Sequence, residues 1–194
     1  MMSRYLIRWA ISTLFVLCFF LPVIASAQAT RDIAWDALKQ GQAVALIRHA
    51  IAPGLGDPPG FKIGDCTTQR NLSQEGRDQA RRIGEFLREK GVKETSVYSS
   101  QWCRCLETAR LLALGPVKEL PALNSFFEDR STEETQTKQL RKFIMSLPAD
   151  KPVIMVTHQV NITALTGIVP SSGEIIILQL TQDGQGKVLG RFTP

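Results

Sequence analysis

Histidine is scarce in this chain, with two among 194 residues. The four cysteines contain no Cys-x-x-Cys pair, so the ligand spacing of structural zinc sites is missing. The formal net charge is +5, yet no basic run or arginine–aromatic stripe accompanies it, which removes nucleic acid from the expected partners. A modest positive balance suits a small anionic ligand instead. Internal repeats are also absent.

The N-terminus reads as a targeting segment. Met1 to Arg8 carries Arg4 and Arg8 and no acid, and Ile11 to Ile24 is almost wholly apolar. Ala25-Ser26-Ala27 fits a small-residue cleavage site, leaving Gln28 as the first mature residue. The apolar stretch is interrupted by Pro22 and is short for a membrane span, so cleavage is favoured over an uncleaved anchor. Residues 1–27 are therefore expected to be a signal peptide and 28–194 a single domain, periplasmic or secreted, with no stable membrane insertion after cleavage. Export makes a disulfide plausible among Cys66, Cys103 and Cys105. Cys103 and Cys105 are too close in sequence for an easy mutual bridge, so Cys66 pairs with one of them, and Cys103 is favoured.

Helical and strand patterns alternate along the mature chain. Ile33 to Gln40, Ser73 to Lys90, Trp102 to Leu114, Thr135 to Leu147 and Asn161 to Thr166 have helical character. Ala43 to Ile47, Val97-Tyr98, Val117 to Leu120, Lys151 to Thr157 and Glu174 to Leu180 read as strands. Asp183-Gly184 turns into a final edge strand, Lys187 to Phe192. Ser73 is placed to cap its helix and Gly91 to stop it. The alternation predicts an α/β fold, a three-layer sandwich whose mostly parallel central sheet is flanked by helices. Two loops, Ala52 to Asp65 (rich in Gly and Pro) and Ser125 to Glu134, are expected at the pocket mouth.

Each histidine ends a short apolar run. His49 follows Val44-Ala45-Leu46-Ile47 and Arg48; His158 follows Val153-Ile154-Met155-Val156 and Thr157. Buried strands deliver such residues to the C-terminal edge of a sheet, where open α/β folds build their sites. Arg48 offers a planar fork for phosphate oxygens. Arg104 follows Ser99-Ser100 near a helix start, a place that already favours anions. Arg70 precedes the long helix as a third cation, and Gln159 and Asn161 follow His158 with amides. Two histidines and two or three arginines at one edge describe a phosphoryl pocket.

The same residues resemble a known family. Leu46-Ile47-Arg48-His49-Ala50 is similar to the Arg-His-Gly signature of the histidine phosphatase superfamily, the phosphoglycerate-mutase-like fold. Asn71 to Ala80 resembles its Leu-Thr-x-x-Gly-x-x-Gln-Ala segment, Tyr98 to Ala109 its Ser-Pro-x-x-Arg-Ala-x-x-Thr-Ala segment, and Val156-Thr157-His158 its second histidine motif. The resemblance implies a phosphoric monoester hydrolase of histidine acid type, passing through a phosphohistidine with no metal or cofactor. His49 would accept the phosphoryl group. Arg48, Arg104 and His158 would hold it, with Arg70 and Gln159 as helpers.

Three departures stand out. Ala50 replaces the usual glycine, Gln101 stands where proline is common, and Gln159 replaces the aspartate that donates a proton in one branch. Glu128, and after it Asp129, lie where the other branch carries its acid. The signal segment, the Arg-His-Ala motif and the Tyr-Ser-Ser-x-x-x-Arg segment are similar to lipopolysaccharide core heptose-phosphate phosphatases, so a sugar phosphate or envelope component is the expected small substrate. A non-catalytic phosphate-ligand binding protein on the same fold, and a phosphotransferase or mutase, are the alternative readings.

Overall fold

The structure, a computed structural model, describes residues 32–194. The expected signal segment and its cleavage site lie outside the described residues. A first helix, α1, covers 32–39. It is followed by strand β1 (Val44–Arg48), helix α2 (Gln74–Glu89), strand β2 (Ser96–Ser99), helix α3 (Cys103–Leu111) and strand β3 (Val117–Glu119). Helix α4 (Glu133–Met145), strand β4 (Val153–Thr157), helix α5 (Gln159–Thr166) and strands β5 (Ile175–Leu180) and β6 (Gly186–Phe192) complete the chain.

The six strands form one mixed sheet in the order β3-β2-β4-β1-β5-β6. The first four strands in sequence run parallel, and β5 and β6 join antiparallel at one side. The α/β class and the flanked central sheet are as the alternation of patterns predicts.

Side chains alternate across the pleat, and the two faces bury separate clusters. Ala45, Ile47, Val97, Ile154, Val156, Ile175 and Ile177 pack against Trp35 and Leu38 of α1, Ile83 and Leu87 of α2, and Cys105 and Ala109 of α3. The opposite face sets Val44, Leu46, Val153, Met155, Ile176 and Leu178 against Leu140 and Ile144 of α4 and Ile162 and Leu165 of α5. β1 and β4 are covered on both sides, which is why they read as unbroken apolar runs rather than alternating ones.

Helix α2 begins where the sequence expects it. Ser73 caps it by accepting from the Gly76 N–H at 3.0 Å. Helix α3 is shorter than its apolar pattern suggests, ending at Leu111 instead of Leu114. Ala113 takes a left-handed conformation (φ +52°). The Leu112 carbonyl meanwhile accepts from Arg88 and lies against Gly84, where a Cβ would come within 2.2 Å of it. Tertiary contact with α2 thus overrides local helix preference.

Candidate active site

The parallel register of β1 and β4 builds the site. Ile47 pairs with Val156 and Arg48 with Thr157, so His49 and His158 leave neighbouring central strands together. The His49 N–H donates to the Thr157 carbonyl at 2.9 Å, and the two imidazole centroids are 5.5 Å apart. A pocket of about 290 Å³ opens there, and its lining includes Arg48, His49, Arg70, Arg104, Glu128, Asp129, His158 and Gln159. The candidate residues read from the sequence therefore share one cavity.

The peptide after His49 is held from two helices. The Ala50 N–H donates to Thr108 Oγ1 at 3.1 Å, and Thr108 donates in turn to the Arg104 carbonyl at 2.7 Å. The Ile51 N–H donates to Gln79 Oε1 at 3.0 Å, while Gln79 Nε2 donates to the Ser172 carbonyl at 2.9 Å. At Gly76 the helix approaches so closely that a Cβ would lie 2.0 Å from the Ile51 carbonyl oxygen. The serine, glycine, glutamine and threonine of the sequence motifs thus fix the main chain around the histidine rather than touch a ligand.

His49 Nδ1 lies 2.8 Å from the Ala50 carbonyl oxygen. A carbonyl only accepts, so Nδ1 carries the ring proton and Nε2 carries a lone pair. Nε2 has no hydrogen-bond partner among the described residues. Burial, and then the charge of Arg104, lower His49 to about 3, so the ring is neutral at ordinary pH. His158 Nε2 lies 2.8 Å from Ser100 Oγ and 3.4 Å from the free thiol of Cys105. Burial, followed by His49 and Arg104, holds His158 well below the usual imidazole range. Burial pushes the Cys105 thiol up to about 12, which keeps it protonated and inert.

The arginines differ in what they hold. Arg48 Nη1 donates to the Pro170 carbonyl at 2.9 Å, and its Nε is buried with no partner among the described residues. Arg104 also has a buried, unpartnered Nε. Its terminal nitrogens grip Asp57 with Nη1–Oδ1 at 2.7 Å and Nη2–Oδ2 at 3.0 Å, and both side chains are about 95 % buried, at 4 % and 5 % exposure. Arg70, expected as a third cation, lines the pocket and is also bonded to the main chain. Its Nε donates to the Gly56 carbonyl at 2.7 Å and its Nη1 to the Ala52 carbonyl, so it shapes the loop after β1.

Asp57 is the main residue that sequence reasoning missed. It sits in the Gly- and Pro-rich loop, whose placement at the pocket mouth was the only signal available. Burial works to raise its carboxyl, but the Arg104 bonds and charge, the Arg70 N–H and the Trp102 indole hold it below the usual carboxylate range. Asn124 is a second missed residue. Its Oδ1 accepts from Ser100 Oγ at 3.3 Å and from the Gln101 N–H at 2.9 Å, and its carbonyl accepts from Asn161 Nδ2 at 2.8 Å.

Two acids stand at the mouth. Glu128 is exposed, and its Oε1 accepts from the Asp57 N–H at 3.2 Å. Asp129 caps a short 3-10 turn, Arg130–Thr132, accepting from the Ser131 N–H at 3.0 Å and its hydroxyl at 2.5 Å. Those bonds to Ser131 lower Asp129, which favours its charged form. Leu55 (87 % exposed), Phe127 (45 % exposed), Phe61 and Trp102 add apolar wall. Cys66 and Cys103 are joined by a disulfide (S–S 2.06 Å), which stitches the segment before Arg70 to the start of α3. Among the described residues no group of three or more His, Cys, Asp or Glu is spaced to hold a metal ion.

A neutral imidazole with a free lone pair, beside unpaired guanidinium N–H groups, is suited to attack and stabilise a phosphoryl group. Comparisons with known proteins bear on the fold and the family. The solved structures similar to this chain include the protein histidine phosphatase SixA complexed with tungstate (17 % identity, 78 % of this chain and 97 % of that one, TM-score 0.57). A mycobacterial glucosyl-3-phosphoglycerate phosphatase is also similar (15 % identity, 76 % and 96 % coverage, TM-score 0.53). So is a phosphoserine phosphatase variant from Entamoeba histolytica bound to phosphoserine (16 % identity, 77 % and 95 % coverage, TM-score 0.52). At these identities the likeness is one of fold. No curated protein matches the sequence. The family model of the histidine phosphatase superfamily, branch 1, matches residues 44–142, about half of the chain and the part that carries Arg48, His49, Arg70, Arg104 and Glu128. The chain belongs to the histidine phosphatase superfamily.

Proposed function

We propose that this protein is an exported phosphomonoesterase that hydrolyses a phosphate ester through a phosphohistidine on His49. The observation that carries the reading is the arrangement at His49. Its Nδ1 proton is fixed on the Ala50 carbonyl, its Nε2 is free, and Arg48 and Arg104, each with an unpaired Nε, line the same pocket.

In the first step His49 Nε2 attacks phosphorus and the bond to the ester oxygen breaks. Glu128 gives its proton to the departing oxygen. Arg48 and Arg104 offset the charge on the equatorial oxygens, and His158 flanks the phosphoryl group. Gln159, the first residue of α5, adds an amide at that rim. In the second step the Glu128 carboxylate takes a proton from water, the water oxygen bonds to phosphorus and the N–P bond breaks, releasing inorganic phosphate and restoring both groups. Glu128 is chosen over Asp129 because Asp129 is tied to Ser131 as a charged cap, whereas Glu128 is held on the Asp57 N–H at the mouth.

The apolar and aromatic wall at the mouth, with its two acids, suits a ring-bearing leaving group better than a carboxylated one. Together with the signal-like N-terminus and the Arg-His-Ala and Tyr-Ser-Ser-x-x-x-Arg motifs, this favours a sugar phosphate of the cell envelope, as in lipopolysaccharide core heptose-phosphate phosphatases. The deciding experiment is hydrolysis of p-nitrophenyl phosphate in the presence of a chelator by wild type and His49→Ala, followed by a panel of sugar phosphates. Fractionation of expressing cells with N-terminal sequencing tests export. Activity unaffected by His49→Ala would overturn the mechanism, and an uncleaved chain in the cytoplasmic fraction would overturn export.

A further inference from the structure

Asp57 offers four acceptor positions, and the fold fills each of them. Oδ1 accepts from Arg104 Nη1 at 2.7 Å and from the Arg70 N–H at 3.2 Å. Oδ2 accepts from Arg104 Nη2 at 3.0 Å and from Trp102 Nε1 at 3.0 Å. Two of these donors, the indole and the Arg70 main chain, belong to no phosphate-binding guanidinium. Half of the grip on the carboxylate therefore comes from donors other than Arg104. The grip is end-on: it engages both terminal nitrogens of Arg104 and leaves the buried Nε without a partner. Arg48 is arranged alike, with Nη1 held by the Pro170 carbonyl and Nε buried and unpaired. Both arginines are thus anchored at their outer ends with an inner edge uncommitted. The main-chain N–H of Asp57 also holds Glu128 Oε1, at 3.2 Å.

We propose that Asp57 is a positioning residue of the phosphate site: its carboxylate stays on the outer end of Arg104 throughout the reaction and presents the Nε edge to the phosphoryl group. This rests on the reading of the pocket as a phosphoryl site. The opposite assignment makes the Asp57 carboxylate an internal anion that the phosphoryl group must displace. The two differ in the sign of every effect. A displaced anion competes with the ligand, so its removal tightens oxyanion binding. A clamp aims Arg104, so its removal weakens binding and slows turnover, because misaligned catalytic groups forfeit large factors in rate.

The test uses Asp57→Ala and the isosteric Asp57→Asn, with p-nitrophenyl phosphate turnover and tungstate affinity as readouts and sodium formate as a small carboxylate that fits the emptied niche. A clamp predicts that Asp57→Ala loses about 100-fold in kcat/KM, most of it in kcat. Formate should then restore at least part of that loss in Asp57→Ala, and leave wild type and Asp57→Asn, whose niche is filled, unchanged. A merely structural role would show as lost thermal stability without formate-dependent recovery of kcat, and would overturn the proposal. Tighter tungstate binding by Asp57→Ala with inhibition by formate would also overturn it, as would unchanged kinetics. Asp57→Asn keeps the side-chain volume and decides the sign if Asp57→Ala does not fold. If wild type hydrolyses no ester, the phosphatase reading fails by itself. Weaker tungstate binding in Asp57→Ala, recovered by formate, would still support the clamp.

Discussion

Arg48 and Thr157 are register partners across the central parallel pair, and that single pairing sets His49 and His158 side by side at the sheet edge. With one imidazole carrying a free lone pair, His49→Ala is expected to abolish turnover of p-nitrophenyl phosphate. It should also abolish the acid-labile phosphoprotein trapped by rapid quenching. A phosphoprotein retained in His49→Ala would move the nucleophile elsewhere.

The two inner arginines should separate kinetics from stability. Arg104→Ala is expected to lose about 10²–10³ in kcat, roughly 2.7–4 kcal/mol of transition-state stabilisation. It also strands the buried Asp57 carboxylate, so unfolding stability should fall by roughly 3–5 kcal/mol. Arg48→Ala loses a bond to a main-chain carbonyl, which costs about 1 kcal/mol, while the kinetic loss stays large. Urea unfolding beside steady-state kinetics checks both. Equal stability losses would mean that the Asp57–Arg104 pair is not what anchors this edge.

Glu128→Gln should slow esters with poor leaving groups far more than p-nitrophenyl phosphate, because an alkoxide needs the proton and a nitrophenolate does not. Asp129→Asn should leave that ratio unchanged and only loosen the Arg130–Thr132 turn. A leaving-group slope that responds to Asp129 instead would exchange the two roles.

The site should also shape the response to acid. Burial and the Arg104 charge hold His49 near 3, against an unperturbed value near 6.5 in the unfolded chain. The unfolded state therefore takes up a proton below pH 6.5 that the folded state refuses until far lower. Stability from this group is complete above 6.5 and is lost as pH falls from 6.5 toward 3. Burial of His158 acts in the same direction. Wild type should lose more Tm between pH 7 and 4 than His49→Asn. In kcat/KM, corrected for the ester's own second ionisation at about 6, no imidazole step should appear near 6.5. Such a step would show that His49 is less shielded than its burial indicates.

Removing the disulfide by Cys66→Ser with Cys103→Ser opens a loop of 37 residues, for which chain entropy gives about 4 kcal/mol. Because that loop carries Arg70 and ends next to Arg104, kcat/KM should fall as well. Calorimetry and turnover on the double variant check both effects. Retained stability would place the constraint in the hydrogen bonds of Gln69 and Asn71 instead.

Residues whose role follows from local pattern were legible in the sequence. The apolar runs ending in Arg48-His49 and Thr157-His158 announce buried strands, and Ser73 and Gly91 bracket α2 by capping chemistry alone. Whatever depends on distant partners was not legible. Asp57 lies in a loop with no periodicity, and its guanidinium partner is 47 residues away. Arg70 looks like a free cation until its carbonyl partners at Ala52 and Gly56 come into view. The early end of α3 depends on the contact between Leu112 and Gly84, which no helix propensity encodes.

The bond from His49 Nδ1 to the Ala50 carbonyl also explains why this chain can do without the glycine of the family signature. Every amino acid supplies a main-chain carbonyl, so the tautomer of the nucleophile does not depend on which side chain follows it. What is restricted at that position is volume. The Ala50 methyl is fully buried in a small cluster with Ala52, Leu72 and Ala80. Position 50 is a steric checkpoint that tolerates glycine or alanine, and a branched side chain there would push the histidine's own peptide out of line.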